Sequence, residues 1–243
     1  MIKPMKSIKV LIILLMCSPG LFAQRSLAYK AGVTGENNLQ NVIHITPYSG
    51  AMGFDGRYEG VKGTPRLFDT LVASSVLLKG EELFFRIESD LDVVKNALVY
   101  MSPSKGMLME VPSEHISEVI IHQDGNDLIF LTTEGLTFDQ EIQGNKFYQL
   151  LNGGTYQCIK IPDRKLIEAD YQRLYSPDVR YDELQPVSRY YIRGNDSVFH
   201  RVQLTRKSLK KVFPDKKELI DSNFNEKTAP DPELAVIELL GKF

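Results

Sequence analysis

The chain has 243 residues, with 29 lysines and arginines against 31 aspartates and glutamates, and 43% of it is hydrophobic. That length suits one or two domains with a proper core. The near balance of charge excludes the clustered positive surface that nucleic acid requires, so no nucleic-acid partner is expected.

Lys3, Lys6 and Lys9 form a positive start, an apolar run follows over 10–16, and Pro19 and Gly20 lead to Ala23. This order predicts a secretory signal peptide over 1–23, too short in its apolar part to span a membrane. Cleavage after Ala23 leaves 220 residues with 26 basic and 31 acidic side chains, a net charge of −5, and Cys158 as the single thiol. The mature chain then has no internal disulfide, and its expected place is the periplasm or cell envelope. Lipidation at Cys17 is a minor alternative, because Met16 stands where a small residue is wanted.

Residues 24–56 are punctuated by Gly32, Gly35, Gly50 and Gly53. They read as an extended arm that lends one edge strand, 42–45, ended by Pro47. From 57 to 203 short strands succeed one another without helices between them. Residues 72–78 and 82–88 flank Lys79-Gly80. Residues 97–101 and 107–111 flank Pro103 and Gly106. Residues 116–122 and 127–132 flank Asp124-Gly125, the strongest hairpin signal in the chain. Leu83, Phe85 and Ile87 alternate with Glu82, Arg86 and Glu88, the period that buries one sheet face, while Phe84 points to a second layer. Strands are also expected over 136–142, 146–151 and 155–161, a less ordered stretch over 162–186, and a last hairpin of 189–193 and 197–203 about Gly194-Asn195-Asp196. Asn195-Asp196-Ser197 fits a glycosylation acceptor, but turn chemistry explains it better.

Over 204–243 the period changes to three or four. Leu209, Val212, Phe213, Leu219, Ile220 and Phe224 form a helical stripe. Thr205 serves as N-cap, and a second helix opens at Pro214. Asp231 caps a final helix with Pro232 at its first position and Gly241 past its end. The expected fold is mainly β with C-terminal helices: an antiparallel sandwich or an open, barrel-like sheet, with a helical tail packed on it.

Lys62-Gly63-Thr64-Pro65-Arg66-Leu67-Phe68-Asp69 resembles the Gly-Ser/Thr-Pro-x-Leu start found in an uncharacterised family of secreted, β-rich proteins of Gram-negative bacteria. Phe147 to Gly153 is similar to that family's Phe-x-x-Leu-x-x-Gly strand, and Tyr190-Tyr191 to Phe224 to its closing hairpin and helices. The resemblance spans about residues 57–224. It departs at Arg86-Ile87-Glu88-Ser89-Asp90, where a Tyr-Asn/Asp turn would fall and the tyrosine is missing. It implies an exported β-rich protein with a helical tail, and no activity.

Candidate chemistry is sparse. Tyr156, Cys158 and Lys160 share one strand face, so Lys160 could favour a thiolate, against the plainer reading of Cys158 as a small buried apolar group. His44, His115, His122 and His200 have no zinc spacing, and Asp124 to Asp127 lack the pattern of a calcium loop, so no metal site and no cofactor are expected. No Gly-x-Ser-x-Gly elbow is present. Adjacent acids such as Glu81-Glu82 point to opposite sheet faces and form no catalytic pair. Arg201, Arg206, Lys207, Lys210, Lys211, Lys216 and Lys217 fall within seventeen residues, opposed only by Asp215. They could meet an anionic surface, or form a solvated helix face. The helix over 232–240 is apolar on more than one stripe and must be covered, by its own sheet or by an envelope protein. The expected function is an exported, non-enzymatic envelope binding or scaffold protein. The alternatives are a carrier of an apolar ligand in a sheet-lined cavity near Phe84, Met101 and Met107, and a thiol enzyme using Cys158.

Overall fold

A computed structural model describes residues 61–82, 84–102, 104–123, 125–169 and 181–243, with the backbone of 29–30 and 46–47. The signal segment, Val42 to Ile45 with His44, and most of the arm lie outside the described residues. Two pieces of the arm are strands: β1 (Tyr29–Lys30) and β2 (Thr46–Pro47). The body follows as β3 (Val72–Leu78), β4 (Phe84–Asp92), β5 (Ala97–Met101), β6 (Leu108–Pro112), β7 (Ile116–Gln123), β8 (Asn126–Thr132), β9 (Phe147–Leu150), β10 (Cys158–Ile167), β11 (Glu183–Arg193) and β12 (Phe199–Val202). Three helices close the chain: α1 (Arg206–Val212), α2 (Lys217–Asn223) and α3 (Pro232–Leu240). Of the two arrangements expected, the open sheet is the one found. The strands form one sheet in the order β12-β11-β10-β9-β8-β7-β3-β4-β5-β6-β2, with β1 beside β4.

The sheet makes two different cores. From β9 round to β6 it rolls, and the inward side chains of the run fill the hollow themselves. Val76, Phe85, Leu98, Tyr100, Val111, Val119, Phe130 and Phe147 belong to one cluster, each at most 1% exposed. Alternation places these residues on a single face, and a register shift at Leu77/Leu78 adds curvature. The two ends of the roll meet where the Ser113 hydroxyl donates to the Asn145 carbonyl at 2.7 Å. Among the described residues no ladder joins them, so the barrel is not closed by hydrogen bonding. Gly80 and Gly125 take positive φ at the β3–β4 and β7–β8 turns, the backbone state those turns need.

The second core is layered. Cys158, Ile192 and Val202 face the helices and pack with Leu209, Phe213, Ile220, Phe224, Val236, Leu239 and Leu240. Ile159, Ile161, Tyr191 and Phe199 face the other way and are covered by Leu136, Phe138 and Ile142. Residues 136–142 are therefore not the expected strand but a loop that lids this face, touching the sheet through one bridge, Phe138 to Phe199. The helix ends follow their sequence signals. Thr205 Oγ1 accepts the Ser208 N–H, and Asp231 accepts from Glu233 and Leu234. Between α1 and α2 a 3-10 turn opens at Pro214. The apolar stripe of α3 lies on the chain's own sheet, and Leu234 is its exposed exception at 58%.

The stretch from Pro162 to Pro186 departs most from expectation. β10 and β11 pair over ten residues, from Cys158–Ile192 to Ile167–Glu183, with both prolines inside the ladder; residues 170–180 lie outside the described residues. The Leu184 N–H points away from β10, to the Lys62 carbonyl at 2.9 Å. Pro186 and Ser188 share that outward phase, and so does Pro162, which pairs with Ser188. Each proline nitrogen thus faces an outer edge where no ladder donor is needed.

A strap over 62–69 ties this ribbon to the roll. Lys62 bridges Glu183, and Arg66 bridges Asp92. The Arg164 guanidinium donates to the carbonyls of Thr64 at 2.9 Å and of Arg66. Gly63 has φ +89, and a Cβ there would lie 2.7 Å from the Leu184 carbonyl oxygen. On the roll side the buried Asp90 carboxylate accepts the Phe68 N–H at 3.2 Å and the Leu91 N–H at 2.7 Å. Residues 86–90, set beside a family turn by the resemblance, are strand here.

Candidate functional site

At Val202, the last rung opposite Tyr190, the chain peels from the sheet edge. Gln203 accepts the Thr205 N–H and donates its own to Ser208 Oγ at 3.0 Å. This turn starts α1 and leaves the outer edge of β11 without a neighbouring strand at Ser188. The gap is a cleft of about 630 Å³, lined by Ser188, Arg189, Tyr190, Arg201, Gln203 and Gln140, with Ser208, Glu226 and Pro232 on the helical side. Register places Tyr190 and Val202 on the helix-covered face and Arg189 and Arg201 on the opposite one, so the cleft wraps around the sheet edge. Its charges are unevenly used. Arg189 pairs with Asp163, and Glu226 lies 3.6 Å from Arg206. The Arg201 N–H is held by Asp139 at 3.2 Å, whereas its exposed guanidinium has no acidic partner among the described residues.

The predicted basic run is less of a ridge than its sequence suggests. Arg206, Lys210 and Lys216 pair with Glu226, Asp221 and Asp215. Lys207 and Lys211 are exposed on the side of α1 away from Leu209 and Phe213, Lys217 is exposed at the start of α2, and Arg201 belongs to the cleft instead. Asp221 and Glu226 lie downstream of the seventeen-residue window and fold back onto it.

Cys158 is 1% exposed. Burial and, secondarily, the charge of Glu233 push its thiol up to about 12. Lys160 does share its face, yet it does not promote a thiolate. Its ammonium lies 2.7 Å from Glu233 Oε1, which also accepts the Tyr190 hydroxyl at 2.5 Å. These three side chains pin α3 to β10 and β11, and burial with that hydrogen bond raises the Tyr190 phenol above its ordinary value.

One arrangement has no counterpart in the sequence motifs. Ser75 Oγ lies 2.7 Å from His122 Nε2, and His122 Nδ1 lies 2.7 Å from Asp127 Oδ1. The three sit side by side on β3, β7 and β8, with His122 directly opposite Asp127. This is the connectivity of a serine hydrolase relay. Two features oppose that chemistry. Ser75 is 0% exposed, and it lies mid-strand between β4 and β7, not at a sharp turn with free N–H donors. His200 is turned toward Asp196 and Asp139, at 3.0 and 3.5 Å. Among the described residues no group of three or more histidines, cysteines or acids is placed to hold a metal ion.

The residues expected to line an apolar cavity are not gathered round one. Phe84 is 3% exposed, Met107 is 44% exposed, and Met101 borders a surface cleft of about 390 Å³ with Ala73 and Ile87. The hollow of the roll is occupied by its own aromatic side chains. Among the described residues no helix is long and apolar enough to cross a membrane.

No protein-family model matches the chain, and no curated protein or solved structure matches it significantly.

Proposed function

We propose that this is an exported, non-enzymatic binding protein of the cell envelope that holds a polar ligand in the cleft between β11, β12 and the helical cap. Export rests on the N-terminal segment, and the resemblance to secreted β-rich proteins points the same way. The observation that carries the binding reading is the cleft itself: two arginines, two glutamines, two serines and a tyrosine ring converge on about 630 Å³, within the size range of small-molecule sites. Its neutral hydrogen-bonding groups suit recognition better than acid–base turnover. The test is nuclear magnetic resonance of the labelled mature chain mixed with a small-molecule extract of the cell envelope. Shifts confined to the cleft, and lost on filling it by Gln203→Trp, are expected. Shifts that ignore the substitution, or none at all, refute the reading.

The carrier reading has less support, because the interior of the roll is filled. The thiol-enzyme reading has little, because Cys158 is enclosed and its thiolate disfavoured. A different second reading, serine hydrolysis, is favoured by the Ser75–His122–Asp127 geometry alone. Covalent labelling by a fluorophosphonate, lost in Ser75→Ala, would establish it over the binding reading. Contact of Lys207, Lys211 and Lys217 with an anionic membrane is a minor element of the proposal.

A further inference from the structure

The cleft has one charge left over, and a shape larger than that charge needs. Of the ionic groups on its walls, Arg189 is matched by Asp163 and Glu226 by Arg206. Asp139, on the loop side, turns its oxygens to the Arg201 N–H and to His200. Arg201 is therefore the guanidinium free to accept an anion, and its planar fork suits a carboxylate or phosphate bound through two hydrogen bonds.

An anion alone would leave most of 630 Å³ empty. The remaining wall groups are of two kinds. Gln140 and Gln203 offer neutral donors and acceptors at the rim, which suits hydroxyl groups. The Tyr190 ring, fixed by its hydroxyl bond to Glu233, and the Pro232 ring on the helical side offer apolar surface, which suits the C–H face of a sugar ring. Adjacent strand residues face opposite ways, so the charge and the ring surface lie on two sides of the sheet edge. A ligand that satisfies both must straddle that edge.

We infer that the cleft takes a sugar carrying one anionic group, with Arg201 holding the anion and Tyr190 supporting the ring. The inference rests on the binding reading above and narrows it to a ligand class. It involves no covalent step.

The test is calorimetric titration of the full mature chain with methyl glucuronide, glucose 6-phosphate and methyl glucoside. At least one charged sugar is expected to bind about tenfold or more tightly than the neutral one. Arg201→Gln should remove that advantage with melting unchanged, since the guanidinium has no acidic partner among the described residues, while Arg201→Lys should retain part of it. Lys207→Gln, an equally exposed charge on α1, should have no effect. The two charged sugars separate carboxylate from phosphate as the anion. Equal binding of all three sugars overturns the anionic assignment and leaves the cleft as a binding site. Binding of a charged sugar that survives Arg201→Gln overturns the assignment to Arg201. If none of the three binds, the sugar inference fails, and the envelope-extract experiment with Gln203→Trp decides the broader reading separately.

Discussion

The rolled half and the layered half use the same alternating strands and bury them by opposite means. In the roll, β3 to β9 curl until their inward faces meet, so Tyr100, Phe130 and Phe147 sit in a cluster drawn mainly from the strands themselves, with Leu67 and Phe68 of the strap packed against it. In the layered half, β10 to β12 stay open and borrow cover from elsewhere: helices over Cys158 and Ile192, a loop over Ile159 and Tyr191. Self-covering leaves no gap at the join between layers. Borrowed cover does, and the cleft lies where the chain leaves the sheet to become that cover.

The contrast should be greatest in the two cores. Phe130→Ala and Phe213→Ala each remove a ring that is 1% exposed, a loss of about 3–5 kcal/mol for such truncations. Phe130→Ala is expected at the upper end, with hydrogen-exchange protection lost throughout β3 to β9, because the surrounding strands are held to one another by ladder hydrogen bonds and cannot readily settle into the void. Phe213→Ala is expected at the lower end, with loss confined to the helices and the strands beneath them. Equal, global loss in both would mean that the two cores unfold as one.

Next is the pH dependence of the strap. Burial lifts the Asp90 carboxyl to about 7 despite two backbone N–H donors and the nearby Arg66 and Arg164. Because the folded state holds this proton more tightly than the unfolded chain does, the group stabilises most below about pH 4. That contribution falls as pH rises to 7, by up to roughly 4 kcal/mol. Denaturant titrations of the wild type and Asp90→Asn across this range should differ in slope with that sign. Parallel pH profiles would show that Asp90 titrates normally.

Gly63→Ala is expected to cost about 1–3 kcal/mol, from a positive φ and from contact with the Leu184 carbonyl. Protection should be lost first in the outer ribbon of β10 and β11, with the roll unaffected. The smallest effect belongs to the helical surface. Lys207→Glu with Lys211→Glu should change stability by no more than about 0.5 kcal/mol, and abolish whatever sedimentation with anionic vesicles the wild type shows at low salt.

Local signals carried much of the architecture. Gly80, Gly125, Thr205, Pro214 and Asp231 mark real turns and caps because each acts locally, the glycines and the proline through their own backbone and the two caps through a side-chain oxygen on a nearby N–H. The face shared by Tyr156, Cys158 and Lys160 follows from alternation alone. Other features depend on what arrives from a distance. Pro162 and Pro186 look like breakers until it is known that their nitrogens face an unpaired edge. Residues 136–142 carry strand-like side chains and become a lid, because Leu136, Phe138 and Ile142 turn onto the face of Ile159 and Tyr191 and keep a single bridge to the edge of β12. Ser75 and His122 are 47 positions apart, and no short motif could join them. The basic run reads as a ridge only while Asp221 and Glu226 are left out. Arg201 was visible as a charge, but its place in a cleft was not, since that place is made by Tyr190, Gln140 and the start of α1.

The strap has a consequence for the order of assembly. Synthesis delivers residues 62–69 first, yet the Arg164 side chain that grips Thr64 comes 100 residues later. Closing so long a loop is entropically slow and gains nothing until both ends are shaped. The roll and the strap's contacts with it, such as Leu67 N–H to the Leu91 carbonyl, can therefore form early, while the grip of Arg164 waits for the last long hairpin, so latching of the outer ribbon onto the strap is expected as a late step in reaching the native state.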